Sequence, residues 1–188
     1  MCIRDRLKTA FWPMVRGMPA RRWREYVGLT APRGVLREVG AGVLGYLAWL
    51  SIYFVAAIIV VVVFLLANRG NPPPQETPGG KLGELLGSNN PLIIFLLVSL
   101  TTMWAPLVEE TIMRGTLFRL WRIRIGLFGA AIASAAVFAS LHGYMPMQLI
   151  LVGVLGFGFA LLREWRGSLI PCMTAHFIHN AVISILLV

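Results

Sequence analysis

The chain has 188 residues, of which 57% are hydrophobic and 13% are charged, and a water-soluble domain of this size has too little interior for so much apolar surface. We therefore expect an all-α fold, a polytopic transmembrane helix bundle whose solvent is the bilayer. The net charge of +9 lies in short basic clusters between apolar runs, which is typical of contact with anionic membrane lipids and argues against nucleic acid as a partner.

Basic and aromatic side chains alternate in the N-terminal arm, residues 1–38, as in Arg22, Trp23 and Arg24. The pattern predicts an interfacial amphipathic segment over residues 7–38, with a disordered basic arm as the alternative. No charged residue occurs between positions 39 and 67, and about 20 apolar residues cross a bilayer. This run therefore predicts the first membrane-spanning helix.

Proline and glycine dominate residues 68–90, which predicts a loop outside the hydrocarbon region. Four further apolar runs follow, at residues 91–113, 126–141, 147–162 and 168–188. We therefore expect about five spans in a transmembrane domain of residues 39–188. Alternating these spans brings three basic segments to one side: the N-terminal arm, the cluster from Arg114 to Arg124 and the turn from Arg163 to Arg166. The neutral loops at 68–90 and 143–146 lie on the other side, and the positive-inside rule identifies the basic side as the cytoplasm. The expected location is a prokaryotic plasma membrane, with the N-terminus in the cytoplasm.

Two adjacent glutamates end the second apolar run. Ionisable groups at membrane depth are costly, so each is expected to have a partner or a function. Glu109 and Glu110 point about 100° apart on a helix, and Arg114 follows Glu110 at the four-residue spacing that favours an ion pair. Glu109 is then left to face the bundle as a general base. Alternatively, both glutamates are boundary charges beside the arginines.

Histidines and an amide occur in the later apolar runs. His142 ends the third run, where a single histidine is also consistent with an interfacial residue. His176 and Asn180 lie four residues apart on one face of the last run, and we expect both to be functional. His179 either shares that face or turns toward a neighbouring helix.

One carboxylate, imidazoles and an amide on separate helices suit the activation of water against a carbonyl group. In this reading Glu109 takes the proton of water, His142 positions the water, and His176 with Asn180 donates to the developing oxyanion. A divalent metal such as zinc is the alternative, held by Glu109, His142 and His176 with one open position. No HExxH motif decides between them, and Cys2 and Cys172 form no CxxC metal site.

Serine and aspartyl catalysis are disfavoured by the sequence. There is no GxSxG motif, and the two-residue spacing of Ser140 and His142 points their side chains apart on a helix. Asp5, in the polar arm, is the only aspartate.

Three motifs within residues 90–188 resemble, in order and approximate spacing, those of the CPBP family of intramembrane proteases. This family includes CAAX prenyl endopeptidases and bacteriocin-processing or immunity proteins. The motifs are Glu109-Glu110-x-x-x-Arg114, Phe138-x-x-x-His142 and His176-x-x-x-Asn180. The resemblance implies a polytopic helical fold with a conical cavity inside the membrane, and a mechanism that is either metal-dependent or glutamate-dependent.

By motif matching, the resemblance assigns water activation to Glu109, with Glu110 and Arg114 as its companions. It assigns water holding to His142 and the oxyanion site to His176 with Asn180. The implied substrate is a membrane-associated peptide or a prenylated protein, with membrane lipids as surrounding partners. A non-enzymatic immunity or scaffold protein is the alternative, and a proton-coupled transporter is a third hypothesis.

The predicted topology separates the candidate residues in depth. Glu109 lies about five residues from the nearest arginine and His142 about sixteen residues from the start of its run, a gap of about 16 Å at ~1.5 Å per residue. Convergence then requires a kink at Pro106, or arginines that lie deeper around a watered cavity.

Overall fold

The computed structural model describes residues 10–70, 90–142 and 146–187. Within these ranges the chain is helical and contains no strand, which confirms the all-α class. The helices are α1 (Ala20–Val27), α2 (Val35–Ala67), α3 (Pro91–Ser99), α4 (Ala105–Ile112), α5 (Phe118–Ser140), α6 (Pro146–Arg166) and α7 (Ile170–Leu187). Most of the loop predicted at residues 68–90, and residues 143–145 of the short neutral loop, lie outside the described residues.

Three helical stretches are long and apolar enough to cross a membrane: Val35–Ala67, Pro91–Ser140 and Met147–Arg166. Ile170–Leu186 is a shorter apolar helix. The chain is therefore an integral membrane protein, and the apolar side chains that α2 exposes along its length face lipid rather than water. The predicted number of five spans is reached if Pro91–Ser140 crosses the membrane twice and α7 crosses it once. The number of spans stays a prediction.

The stretch Pro91–Ser140 contains two π-helical turns and one change of direction. The π-helical turns are Leu100–Trp104, between α3 and α4, and Met113–Leu117, between α4 and α5. Gly126, inside α5, has φ 74° and ψ −176°, a conformation that is essentially restricted to glycine. The chain therefore turns at Gly126, the residue at which the third apolar run was predicted to begin.

Arg114 does not lie with the surface arginines, as the topology from sequence had placed it. Its side chain is fully buried, whereas Arg119 and Arg124 of the same basic cluster are exposed. The turn at Gly126 also resolves the predicted depth gap, because Glu109 lies 17 residues before it and His142 lies 16 residues after it. At ~1.5 Å per residue, the two side chains lie at similar distances from the turn.

The N-terminal arm is anchored on the bundle through α1. This helix is amphipathic, and its buried Trp23 and Val27 form a cluster with Leu169 and Met173 at the start of α7. Trp23 Nε1 also donates to the backbone oxygen of Ala10 at 2.9 Å. The polar face of α1, which carries the exposed arginines, points away from the bundle.

The bundle core forms where α5 packs on α6 and where α2 packs on both α6 and α7. Small residues permit the close approach of these helices. A Cβ at Gly42 would meet Pro171 and Thr174 of α7, and one at Gly158 would meet the indole of Trp49. This packing brings the polar residues of α4, α5 and α7 together.

Candidate active site

A buried ion pair lies at the centre of the site. Arg114 Nη1 donates to Glu110 Oε1 at 3.0 Å, and both side chains have no exposed surface. The pairing predicted from the four-residue spacing is therefore confirmed. Arg114 Nη2 donates to the backbone oxygen of Gly156 on α6 at 2.7 Å. These bonds matter because a charge without partners is very costly in a dry interior.

Two phenylalanines enclose the arginine. The guanidinium carbon of Arg114 lies 4.5 Å from the ring centroid of Phe138 and 5.4 Å from that of Phe159, so both rings make cation–π contacts. The ring of His176 stacks on Phe159 and meets Phe138 edge-on, at centroid distances of 5.1 and 5.7 Å. A Cβ at Gly156 would come within 3.0 Å of Phe138 and 3.1 Å of Arg114. Glycine thus allows α6 to approach this cluster.

His176 connects the two glutamates. Its Nδ1 lies 3.0 Å from Glu110 Oε1, the same oxygen that accepts from Arg114, so Nδ1 donates to an ionised carboxylate. This bond directs Nε2 to the side of Glu109, whose Oε2 lies 3.9 Å away. The imidazole is therefore oriented by the buried pair and presents its second nitrogen to the other carboxylate.

Glu109, the carboxylate that the sequence left to face the bundle, lies at the edge of the buried centre. Its side chain is 35% exposed, yet Oε2 is buried and has no hydrogen-bond partner. His176 and His142 both interact electrostatically with the Glu109 carboxylate. The Glu109 carboxylate, His142 and His176 therefore lie in one region, and the mechanism predicted from the sequence depends on this arrangement.

His142 lies just beyond the end of α5 and is half-buried. Its Nδ1 is 2.8 Å from the backbone oxygen of Phe138, and its ring meets the ring of Phe138 edge-on at 4.7 Å. Because a carbonyl oxygen only accepts, this bond indicates the tautomer with the proton on Nδ1. The orientation of His142 therefore comes from the last turn of α5.

Asn180 contacts the backbone of the first π-helical turn. The amide of Ala105 donates to Leu100, and the next residue, Pro106, has no N–H with which to reach the carbonyl of Thr101. Asn180 Nδ2 donates to this Thr101 oxygen at 2.9 Å. One hydrogen of the amide thus joins α7 to the segment that precedes Glu109, and the other hydrogen can serve a second acceptor.

His179 turns toward α2, the second of the two orientations that its position allowed. Its Nδ1 lies 3.4 Å from the hydroxyl of Tyr46, and its ring meets Tyr46 and Tyr53 edge-on. His179 thus belongs to the contact between α7 and α2.

The zinc alternative requires Glu109, His142 and His176 to come together around one metal ion. Among residues 10–70, 90–142 and 146–187, no three His, Cys, Asp or Glu side chains come together as a group that could hold a metal ion. Glu109, His142 and His176 do not form such a group in this geometry, and the zinc alternative stays a prediction.

Sequence reasoning missed several residues that shape this site. Phe159 and Gly156 lie in the apolar run 147–162, from which no site residue was predicted. Thr101 contributes its backbone, which has no signature of its own. The signal that could have indicated Thr101 is Pro106, because a proline inside a helix leaves an earlier carbonyl without its usual donor.

The fold and the site define a class: an integral membrane helix bundle with a buried Glu–Arg–His centre beside a second, partly exposed glutamate. Residues 89–182, half of the chain, match the family described as "Type II CAAX prenyl endopeptidase Rce1-like", and the chain belongs to this family. The chain is also similar to "Uncharacterized protein YpbD" of Bacillus subtilis (strain 168), with 39% identity over 95 residues. That alignment covers 49% of this chain and 43% of the relative. No solved structure matches the chain.

Proposed function

We propose that the protein is an intramembrane endopeptidase that hydrolyses a peptide bond in a membrane-associated peptide or a prenylated protein. The observation that carries this proposal is the position of Glu109. Its Oε2 has no hydrogen-bond partner and lies 3.9 Å from Nε2 of a histidine whose other nitrogen is held by Glu110. Membership of the CAAX endopeptidase family supports the same chemistry.

In the proposed reaction, Glu109 accepts a proton from water, and the resulting hydroxide attacks the carbonyl carbon of the substrate. The carbonyl oxygen becomes an oxyanion in the tetrahedral intermediate. Glu109 then returns the proton to the nitrogen of the leaving amine as the C–N bond breaks. The products are a carboxylic acid and an amine, and one water molecule is consumed. His142, which interacts electrostatically with Glu109, positions the water.

His176 and Asn180 are the proposed donors to the oxyanion. In this role His176 carries protons on both nitrogens, so that Nδ1 donates to Glu110 while Nε2 donates to the substrate. Asn180 contributes the Nδ2 hydrogen that Thr101 does not use. Glu110 and Arg114 are positioning residues, because Glu110 holds Nδ1 of His176 and Arg114 holds Glu110.

The position of the site within a membrane protein also restricts which substrates can reach it. The centre is built on helices that face lipid, so the scissile peptide must reach it from the bilayer or its surface. A lipid-modified or strongly apolar peptide satisfies this requirement. We propose the cytoplasmic side of a prokaryotic plasma membrane for the N-terminus, since the exposed arginines of α1 and α5 follow the positive-inside rule.

A non-enzymatic scaffold or immunity protein is the second candidate. It is favoured by the hydrogen bonds that connect Glu110 and Arg114 to both α6 and α7, because such polar links also stabilise helix association. In a scaffold, Glu109 would have no chemical role. The two candidates therefore differ in the effect of replacing this one carboxylate.

The test uses the full chain, purified in detergent, and a library of prenylated and unmodified peptides analysed by mass spectrometry for new termini. The variants are Glu109→Gln and, as a matched control, His179→Gln, which removes an imidazole from α7 outside the centre. We expect cleavage by the wild type and by His179→Gln, and a loss of at least about 100-fold in Glu109→Gln. Unchanged cleavage by a folded Glu109→Gln would overturn the mechanism, and cleavage by none of the proteins would favour the scaffold.

A further inference from the structure

A polar cavity lies where α5 begins and α6 ends, and none of its lining residues belongs to the Glu109 centre. Its volume is about 380 Å³. The lining contains three arginines and two glutamates, together with Phe118, Ile123 and Gly167; the charged residues are Glu25, Arg119, Arg122, Arg163 and Glu164.

Both glutamates of the cavity already have arginine partners. Glu164 Oε1 accepts from Nε and Nη2 of Arg122, at 2.9 and 2.7 Å. Glu25 accepts from Arg21 on the surface of α1 at 3.3 Å. The three arginines of the cavity outnumber its two glutamates, and among the described residues neither glutamate is hydrogen-bonded to Arg119 or Arg163. An anion is the ligand that this charge distribution favours.

Arg163 gives the strongest indication of a ligand. The residue is only 7% exposed, and its Nη2 makes a long hydrogen bond of 3.4 Å to the backbone oxygen of Val27. Its Nε is buried and has no hydrogen-bond partner. A buried cation with too few acceptors is unfavourable. Arg163 also lines the cavity, where an anionic oxygen would accept from its guanidinium.

The surroundings of the cavity indicate the source of the anion. Ile123 at its rim is 81% exposed, and Trp165, next to Glu164 in the chain, is 60% exposed. Exposed apolar residues and tryptophan beside arginines are typical of the level at which lipid headgroups lie. The guanidinium of Arg119, which lies 5.2 Å from the ring centroid of Tyr26, is at the same end of the bundle.

We propose that this cavity binds the phosphate group of an anionic lipid headgroup through Arg119 and Arg163. The lipid would thereby join α1, α5 and α6 at the membrane surface, since Arg163 also contacts the backbone at the end of α1. The site does not depend on peptide hydrolysis. It would exist equally in an enzyme and in a scaffold.

The experiment measures lipid binding to the purified full chain by native mass spectrometry, with phosphatidylglycerol, zwitterionic phosphatidylcholine and inorganic phosphate as separate probes. Arg119→Gln and Arg163→Gln test the two proposed contacts. Arg124→Gln is the matched control, because it removes an exposed arginine from the same segment but outside the cavity lining. Circular dichroism and size-exclusion chromatography establish that each variant is folded; Arg119→Gln keeps the test valid if Arg163→Gln does not fold.

We expect the wild type and Arg124→Gln to prefer phosphatidylglycerol over phosphatidylcholine, and each cavity variant that folds to bind phosphatidylglycerol roughly tenfold more weakly. Equal affinities in Arg119→Gln and Arg124→Gln would overturn the proposal. Binding of inorganic phosphate with no preference between the two lipids would overturn the assignment to a lipid.

Discussion

The side-chain amide of Asn180 donates to the backbone oxygen of Thr101 at 2.9 Å, across 79 positions of the chain. The bond exists because Pro106 leaves that carbonyl without an internal donor. It links the helix that carries His176 to the segment that leads to Glu109. Pro106 and Asn180 therefore both affect how α7 is placed against this segment. That placement sets the distance between the Glu109 carboxylate and the His176 imidazole.

The first prediction concerns this link. Asn180→Ala leaves the Thr101 oxygen without a donor, so we expect it to lower the free energy of unfolding by about 1–3 kcal/mol. In a Pro106→Ala background, the restored N–H of residue 106 can reach Thr101, and Asn180→Ala should cost less there. Thermal unfolding of the four proteins of this double-mutant cycle in detergent measures the coupling. Equal costs in both backgrounds would show that Pro106 and Asn180 act independently.

The buried pair gives a second prediction. Glu110→Gln or Arg114→Met alone leaves one uncompensated buried charge, and we expect each to destabilise the protein by about 3–5 kcal/mol. The double variant should recover part of this loss, because it leaves neither charge behind. Its peptidase activity should nevertheless stay low, since His176 has lost the carboxylate that orients it. A double variant as unstable as the worse single variant would contradict the pairing.

Glycine packing beside the site is tested by two substitutions in one helix. A Cβ at Gly156 would meet Phe138, Arg114 and Ala135 at 3.0–3.3 Å, whereas one at Gly153 meets only the Cβ of Ala139 at 3.9 Å. We expect Gly156→Ala to destabilise the protein by about 1–3 kcal/mol through overpacking and to reduce cleavage. Gly153→Ala should leave both unchanged. Similar behaviour of the two variants in thermal unfolding and in peptide cleavage would refute this account.

The metal question has a direct test. Since the described candidate ligands do not form a metal-binding group, we expect cleavage to persist after dialysis against a strong chelator. Elemental analysis of the active protein should then find no stoichiometric zinc. Activity that disappears with the chelator and returns on addition of zinc would instead establish the metal-dependent alternative, with Glu109, His142 and His176 as the ligands to examine.

The turn in α5 is the subject of the last prediction. Gly126→Ala forces a side chain into a backbone conformation that is essentially restricted to glycine, so we expect a loss of about 1–3 kcal/mol in stability. Gly40→Ala is the matched control, because its Cβ would meet nothing within 4 Å and its backbone is helical. That variant should be neutral or slightly stabilising. A loss in Gly126→Ala no larger than in Gly40→Ala would show that the turn tolerates a side chain.

Short-range spacing predicted the parts of the site that depend on a single helix. The four-residue separation of Glu110 and Arg114 was enough to pair them, and the angle between neighbours was enough to separate Glu109 from Glu110. The location of Arg114 was wrong because a charge at the end of an apolar run was taken as a membrane boundary. Hydropathy alone cannot show that the Gly156 carbonyl and the rings of Phe138 and Phe159 stabilise the Arg114 guanidinium inside the bundle.

Long-range contacts were beyond the sequence for a different reason. The spacing of His176 and His179 was compatible with one shared face or with two faces, and only the packing of α2 on α7 decides between them. The Thr101 contact depends on a π-helical turn, whose changed hydrogen-bond register has no reliable pattern in the sequence. The convergence of three motifs could be predicted, but the atoms that hold them together could not.

A single oxygen atom, Oε1 of Glu110, accepts hydrogen bonds from both Arg114 and His176. If α7 slid past α4 as a rigid body, the hydrogen bond between His176 Nδ1 and Glu110 Oε1 would have to stretch. The orientation of His176 Nε2, which faces Glu109, therefore depends on Glu110 and, through Glu110, on the fully buried guanidinium of Arg114. In the proposed peptidase, substitutions that change which substrate binds could therefore leave the orientation of His176 intact, because Glu110 and Arg114, which hold the imidazole, have no exposed surface.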